Sequence, residues 1–140
     1  MATEQKKKII SRFLSKQLLA VISTNSSDGR PNAAVMAFSE TIDLEIIFGT
    51  FASTRKYKNL KKDPRVAMVI GWDPAQDITV QYEGVATEVD SPEEIKKCIA
   101  IHSRKNPASR KYVHHPEQRF FKVRPSWIRY SSLKEQDNGI

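Results

Sequence analysis

Thr50, Ser53, Thr54, Arg55 and Lys56 fall within seven residues of one another, in the stretch TFASTRKYKNLKKDP between two apolar runs. Three hydroxyls, one planar guanidinium fork and one ammonium are the donor set that grips a phosphate monoester. Ser53 or Thr54 can also cap a helix running on to Lys62, and a helix N-terminus adds unpaired backbone N–H groups and a partial positive charge. No glycine-rich loop accompanies the cluster, so a Walker-type nucleotide site is excluded and side chains must do most of the holding. The competing reading is a solvated basic helix face, because Lys58, Lys61 and Lys62 carry the charge away from the turn.

Other reactive residues offer less. His102, His114 and His115 lack metal-ligand spacing. Cys98 shares a helical face with Ile95, Ile99 and His102, which describes a packed thiol and not a nucleophile. No GxSxG, P-loop, HExxH or paired-carboxylate motif is present. Any redox or transfer chemistry would therefore have to come from a cofactor.

The elements that must position the cluster can be read along the chain. The 140 residues, 39% hydrophobic and 28% charged, are those of one globular domain with a real core. A net charge of +7 attracts phosphates of any kind. No apolar run approaches a membrane span, the N-terminal pattern has no signal-peptide character, and the single cysteine suits a reducing compartment, so a cytoplasmic protein is expected.

Ile9, Ile10, Phe13, Leu14 and Leu18 recur at helical spacing and predict an opening helix. LLAVISTN, 18–25, predicts a strand, with a turn at Asp28-Gly29 and a return strand from Pro31. AAVMAFSE, 33–40, and LEIIFGTF, 44–51, predict further strands joined near Asp43. Asp63-Pro64 ends the basic helix, and RVAMVIGW, 65–72, reads as a strand buried on both faces. ITVQYEGVATEV, 78–89, is a long strand whose Gly84 predicts a bulge or bend. Ser91-Pro92-Glu93-Glu94 is a capping box opening a helix to about Asn106. FFKVRPSWIRYSSL, 120–133, predicts a strand or strand pair broken at Pro125, followed by a tail too polar to pack. Consecutive strands with irregularly placed helices predict an antiparallel α+β domain, and Gly84 favours a closed or partly closed barrel.

The string IIFGTFASTRKYKNLKKDPRVAMVIGW, followed by ITVQYEGVATEV, resembles the pyridoxamine 5'-phosphate oxidase-like family of FMN-binding split barrels. The likeness runs from the hairpin at 18 to the tryptophan region at 127. It implies an antiparallel split β-barrel with flanking helices, a homodimer, and one FMN in each of two clefts between subunits. By the same resemblance Thr50, Thr54, Arg55 and Lys56 hold the phosphate and ribityl chain with Ser53 beside them. The strand at Ala34, Val35, Met36 and Ala37 lines the ring system, and Thr79 and Ser131 fall near two further flavin contacts. The C-terminal SSLKEQDNGI lacks the Arg-x-His-Asp-Arg signature that helps the true oxidase hold its vitamin substrate. His102-Ser103-Arg104 echoes the oxidase's substrate-phosphate segment, with Ala100 where that segment has tyrosine. The implied activity is thus an FMN-dependent oxidoreductase acting on another small molecule. Two alternatives stay open: the same fold holding a deazaflavin or haem, and a non-enzymatic basic barrel binding nucleic acid through Phe51, Tyr57, Trp72 and Tyr82.

Overall fold

The computed structural model describes residues 2–132 together with 138 and 139. Helix α1 (Ala2–Ser15) is followed by strands β1 (Leu19–Asn25), β2 (Pro31–Ala37), β3 (Ser39–Glu40) and β4 (Ile46–Phe51). Helix α2 (Arg55–Lys62) leads to β5 (Arg65–Ile70) and β6 (Ile78–Glu88). Helix α3 (Pro92–Lys105) and a 3-10 helix (Pro107–Tyr112) precede β7 (Gln118–Ser132) and β8 (Asn138–Gly139).

All strand pairs are antiparallel, in the order β2-β1-β5-β6-β7-β4-β3, with β8 on β7. The two ends of that order are joined in sequence by one residue. Phe38, fully buried, separates β2 from β3, so the sheet has to curl until its opposite edges meet. That closure makes the split barrel. The run 33–40 is therefore two strands serving opposite edges, and not the one strand its composition suggests.

Gly84 makes the bend possible. Register shifts between Glu83 and Gly84, so that Glu83 faces Trp127 while Gly84 faces Pro125. Ser126 is the extra residue of the bulge, and its hydroxyl donates to the Glu83 carbonyl at 3.1 Å. The proline lies where the ladder is already interrupted, which is how β7 runs unbroken through Pro125 instead of splitting there.

Inside the barrel, Ile22, Phe48, Met68, Val80, Phe121 and Val123 pack with Ile10, Phe13 and Leu14 of α1, which plugs one end. Tyr82 is buried at the centre and its hydroxyl donates to the carbonyls of Leu44 at 2.7 Å and Val123 at 3.2 Å, tying β6 to the β3–β4 turn and to β7. Outside, α3 covers β4 and β7 through Cys98, Ile47 and Phe120. Ser91 caps α3 as its capping box predicts, accepting from the Glu94 N–H at 3.1 Å.

Strand β5 differs from expectation. Val66, Met68 and Ile70 are buried but Arg65, Ala67 and Val69 are exposed, because one face lines the core while no helix covers the other. Val69 is 41% exposed despite its apolar surroundings in sequence. The expected polar tail falls mainly on residues 133–137, outside the described residues; beyond them, Tyr130 pairs with Asn138 and Arg129 with Gly139. Among the described residues, no helix is long and apolar enough to cross a membrane.

Candidate functional site

Helix α2 is anchored before it offers anything to a ligand. Asn59 is buried, and its side-chain amide donates to Thr24 Oγ1 at 3.0 Å and Asn32 Oδ1 at 2.9 Å, fixing α2 against β1 and β2. Leu60 adds a buried apolar contact, and Tyr57 stands edge-on to Phe121 while donating to Glu88 at 2.8 Å. Between the two candidate caps, Thr54 takes the position: its Oγ1 accepts from the Tyr57 N–H at 3.2 Å.

That hydroxyl also donates to the Phe51 carbonyl at 2.8 Å, so the 3.0 Å contact between Thr50 and Thr54 has Thr50 as donor. Both threonine protons are thus directed inward, toward holding the turn. Left available to a ligand are the first-turn N–H groups of Arg55 and Lys56, which have no carbonyl within the helix, and the side chains of Ser53, Arg55 and Lys56.

These three side chains have different surroundings. Ser53 and Arg55 are exposed. Lys56 turns into a cleft of about 740 Å³ between β2, β4 and the end of α3. Its Nζ lies 4.0 Å from Met36 Sδ and 5.4 Å from the centre of the Phe48 ring, with no carboxylate partner among the described residues. Burial pushes the Lys56 ammonium below its ordinary pKa.

Val35, Met36 and Ala37 form one wall of the same cleft. Met36 is buried and Val35 is 61% exposed. Thr50 also lines the cleft. Thr79 and Ser131 are directly opposed across β6 and β7, outside the cleft lining. The stretch of β7 from Arg119, opposite Thr50, to Ser131 separates them from it by about 40 Å of strand, at 3.3 Å per residue. Within one chain Val35, Met36, Ala37, Thr50 and Lys56 line the cleft, Ala34, Ser53, Thr54 and Arg55 adjoin these residues in sequence, and Thr79 and Ser131 form a remote pair.

Sequence reasoning missed Gln118, Lys105 and Tyr112 in the lining and named His102 only through the resemblance of 102–104 to a substrate-phosphate segment. Gln118 folds over Gly49, where a Cβ would clash with its amide. Lys105 lies 3.8 Å over the Phe38 ring, pairs with Glu40 and donates to the Leu14 carbonyl at 2.9 Å, so its charge is already neutralised. Spacing alone signals none of these, since they come from a helix end and a strand start brought together by barrel closure.

His102 is buried, with Nδ1 3.1 Å from Ser39 Oγ and Phe120 edge-on at 6.2 Å. Burial, and then the charge of Lys105, depress its pKa to about 4. Because the folded value lies below the unfolded 6.5, the unfolded chain binds the extra proton first as pH falls. This contribution to stability is complete above pH 6.5 and is lost between 6.5 and 4, about 3 kcal/mol at 1.36 kcal/mol per unit. Urea midpoints at neutral and mildly acid pH should therefore separate much more in the wild type than in His102→Gln; equal separations would contradict a buried neutral imidazole.

Comparison with known proteins places this geometry. The model of the family described as pyridoxamine 5'-phosphate oxidase matches residues 7–132. A haem-binding protein from Mycobacterium smegmatis superposes with TM-score 0.82 at 18% identity, covering 100% of this chain and 57% of that one. The chain thus spans little more than half of that relative's length. HutZ, the haem storage protein from Vibrio cholerae, superposes with TM-score 0.76 at 16% identity over 89% of this chain and 92% of its own. General Stress Protein 26 from Bacillus anthracis does so with TM-score 0.72 at 20% identity over 100% of both chains. These likenesses establish the split-barrel fold, and the family match over nearly the whole chain shows that it belongs to the pyridoxamine 5'-phosphate oxidase family.

Proposed function

We propose that the chain is a single-domain FMN-binding oxidoreductase that works as a homodimer on a small molecule. The observation that carries this reading is Lys56: a partly desolvated ammonium with no carboxylate partner among the described residues, in the first turn of α2 and open to a cleft. A buried, unpaired charge is unfavourable by itself and is satisfied by an anion arriving from solvent. A phosphate monoester fits, since Lys56 meets it with charge, the Arg55 and Lys56 N–H groups with hydrogen bonds, and Arg55 and Ser53 from the exposed side. Thr50 and Thr54 hold the turn that aims those groups. Val35, Met36 and Ala37 supply the wall against which a flat ring system lies. Bound FMN would supply the electron-transfer chemistry that no side chain here provides.

A second copy completes the arrangement. Strand β2 is an edge of the sheet, and Leu19, Val35 and Val69 leave its neighbourhood apolar and exposed. Covering that face buries those side chains and brings a partner's surface to the cleft, where the remote Thr79 and Ser131 of the partner have a place that one chain denies them. Cytoplasmic location belongs to the same proposal.

Titration with FMN and with riboflavin tests it, because riboflavin has the same ring and lacks the phosphate. FMN should saturate one site per chain and bind about a hundredfold more tightly than riboflavin, as expected for a charge-assisted phosphate contact of about 3 kcal/mol. Equal affinities, or no binding of either, would remove the phosphate assignment. Haem is the second reading, favoured by the names of two structural relatives and by His102 in the cleft wall. A Soret band with affinity above that of FMN, abolished by His102→Gln, would replace the flavin with haem.

A further inference from the structure

The cleft continues past the phosphate end to a mouth built differently. Tyr112, the last residue of the 3-10 helix, is 47% exposed and meets Phe51 edge-on, with ring centres 6.2 Å apart at 74°. Phe51 is stacked on His115 at 4.4 Å and 20°, and His115 Nδ1 accepts from the Glu117 N–H at 3.1 Å, so the backbone orients that ring. Three aromatic rings from two segments are thereby held in a fixed arrangement, with Tyr112 half exposed. The Lys111 ammonium lies over the Tyr112 ring, 5.2 Å from its centre, and has no carboxylate partner among the described residues.

Charge in the cleft has one sign. Among the described residues Lys56, Lys105 and Lys111 line it and no carboxylate does, and of these three lysines only Lys105 has a carboxylate partner there, Glu40. Once a phosphate has taken Lys56, Lys111 is the cation left at the mouth. A half-exposed tyrosine ring with an ammonium over one of its faces selects a flat ring that carries a negative group, the anion meeting Lys111 and the ring lying against the exposed part of Tyr112. We propose that this mouth docks the reaction partner of the bound flavin, a planar aromatic compound bearing a carboxylate or sulfonate. The inference rests on the flavin reading of the neighbouring phosphate end.

Naphthalene sulfonate and uncharged naphthalene methanol are suitable probes, with dissociation constants measured by equilibrium dialysis on the protein with and without added FMN. The wild type should bind the sulfonate about tenfold more tightly than the methanol. Lys111→Gln should remove that preference while leaving the methanol unchanged, and Tyr112→Ala should weaken both probes about fivefold. Equal binding of the two probes by the wild type, or a sulfonate preference that survives Lys111→Gln, overturns the proposal, as does unchanged binding in Tyr112→Ala. If the wild type binds the probes as expected but does not hold FMN, the flavin reading fails while the docking site stands.

Discussion

Lys56→Met should weaken FMN binding about a hundredfold and, in the same protein, raise the stability of the ligand-free fold. The two effects have one cause. In the ligand-free protein the ammonium is set against Met36 and Phe48 with no carboxylate partner among the described residues, so the folded state disfavours the charged form. A methionine of similar length removes that desolvated charge and extends the apolar contact. With phosphate present the sign reverses, because breaking a partly buried ion pair costs about 3 kcal/mol, which is a factor of roughly a hundred. Arg55→Ala is the contrast: its side chain is exposed, screening reduces its share to about 1 kcal/mol, and affinity should fall about fivefold.

The pH dependence follows with a fixed sign. The folded, ligand-free Lys56 titrates below its unfolded 10.5, so the unfolded chain binds more protons between the two values and stability rises with pH across that window. Phosphate restores the charged form, so binding takes up a proton and FMN affinity falls as pH rises through the depressed value. Fluorescence titrations at neutral and alkaline pH, with urea unfolding of ligand-free Lys56→Met, measure all of this. A variant that binds FMN normally, or is less stable than the wild type, would show that Lys56 is a structural residue with no phosphate to hold.

How much of this was legible in the sequence depended on how local the cause is. The start of α3 was readable because Ser91, Pro92 and Glu94 determine it within one turn. So was the end of α2, set by Asp63-Pro64, and the role of Gly84, since a glycine inside a long strand weakens it and is kept where the chain bends or another backbone comes close. The face of β5 was not readable: Ala67 and Val69 are apolar yet exposed, so an apolar run does not tell a strand buried on both faces from one buried on a single face. Neither was the split of 33–40, because only the meeting of opposite sheet edges tells Phe38 to end one strand and begin another. At the site, the basic cluster was visible as a cluster, but successive helical residues point about 100° apart. Which of Arg55 and Lys56 turns inward depends on where Asn59 pins the helix, a contact spanning more than thirty residues to Thr24. Gln118 and Tyr112 lie in segments whose patterns carry no trace of the cleft that barrel closure gives them.

Closure itself is open to a direct test at Gly84. A Cβ there would sit 2.5 Å from the Arg124 carbonyl oxygen and 2.8 Å from Val123 Cγ1. The first is backbone in a paired strand, so no rotamer change relieves it and β6 and β7 must move apart at the bend. Gly84→Ala should lose about 3 kcal/mol or more, the upper range for overpacking a well-filled interior. Gly29→Ala is the control, since its φ of +84° is strained for alanine but nothing lies within 4 Å of the added carbon. It should lose about 1 kcal/mol, from backbone conformation alone. Urea midpoints for the two variants measure the difference, and a Gly84→Ala loss no larger than that of Gly29→Ala would mean the bend tolerates a side chain. The consequence extends to the cleft, because β7 continues from the bend through Phe121 and Phe120 to Gln118, which floors it against Gly49 of β4. A barrel opened at Gly84 displaces that floor relative to β2, so FMN affinity should fall in Gly84→Ala although no residue near the phosphate has changed. In Gly29→Ala, whose turn lies at the far end of the β1–β2 hairpin from Met36, it should not.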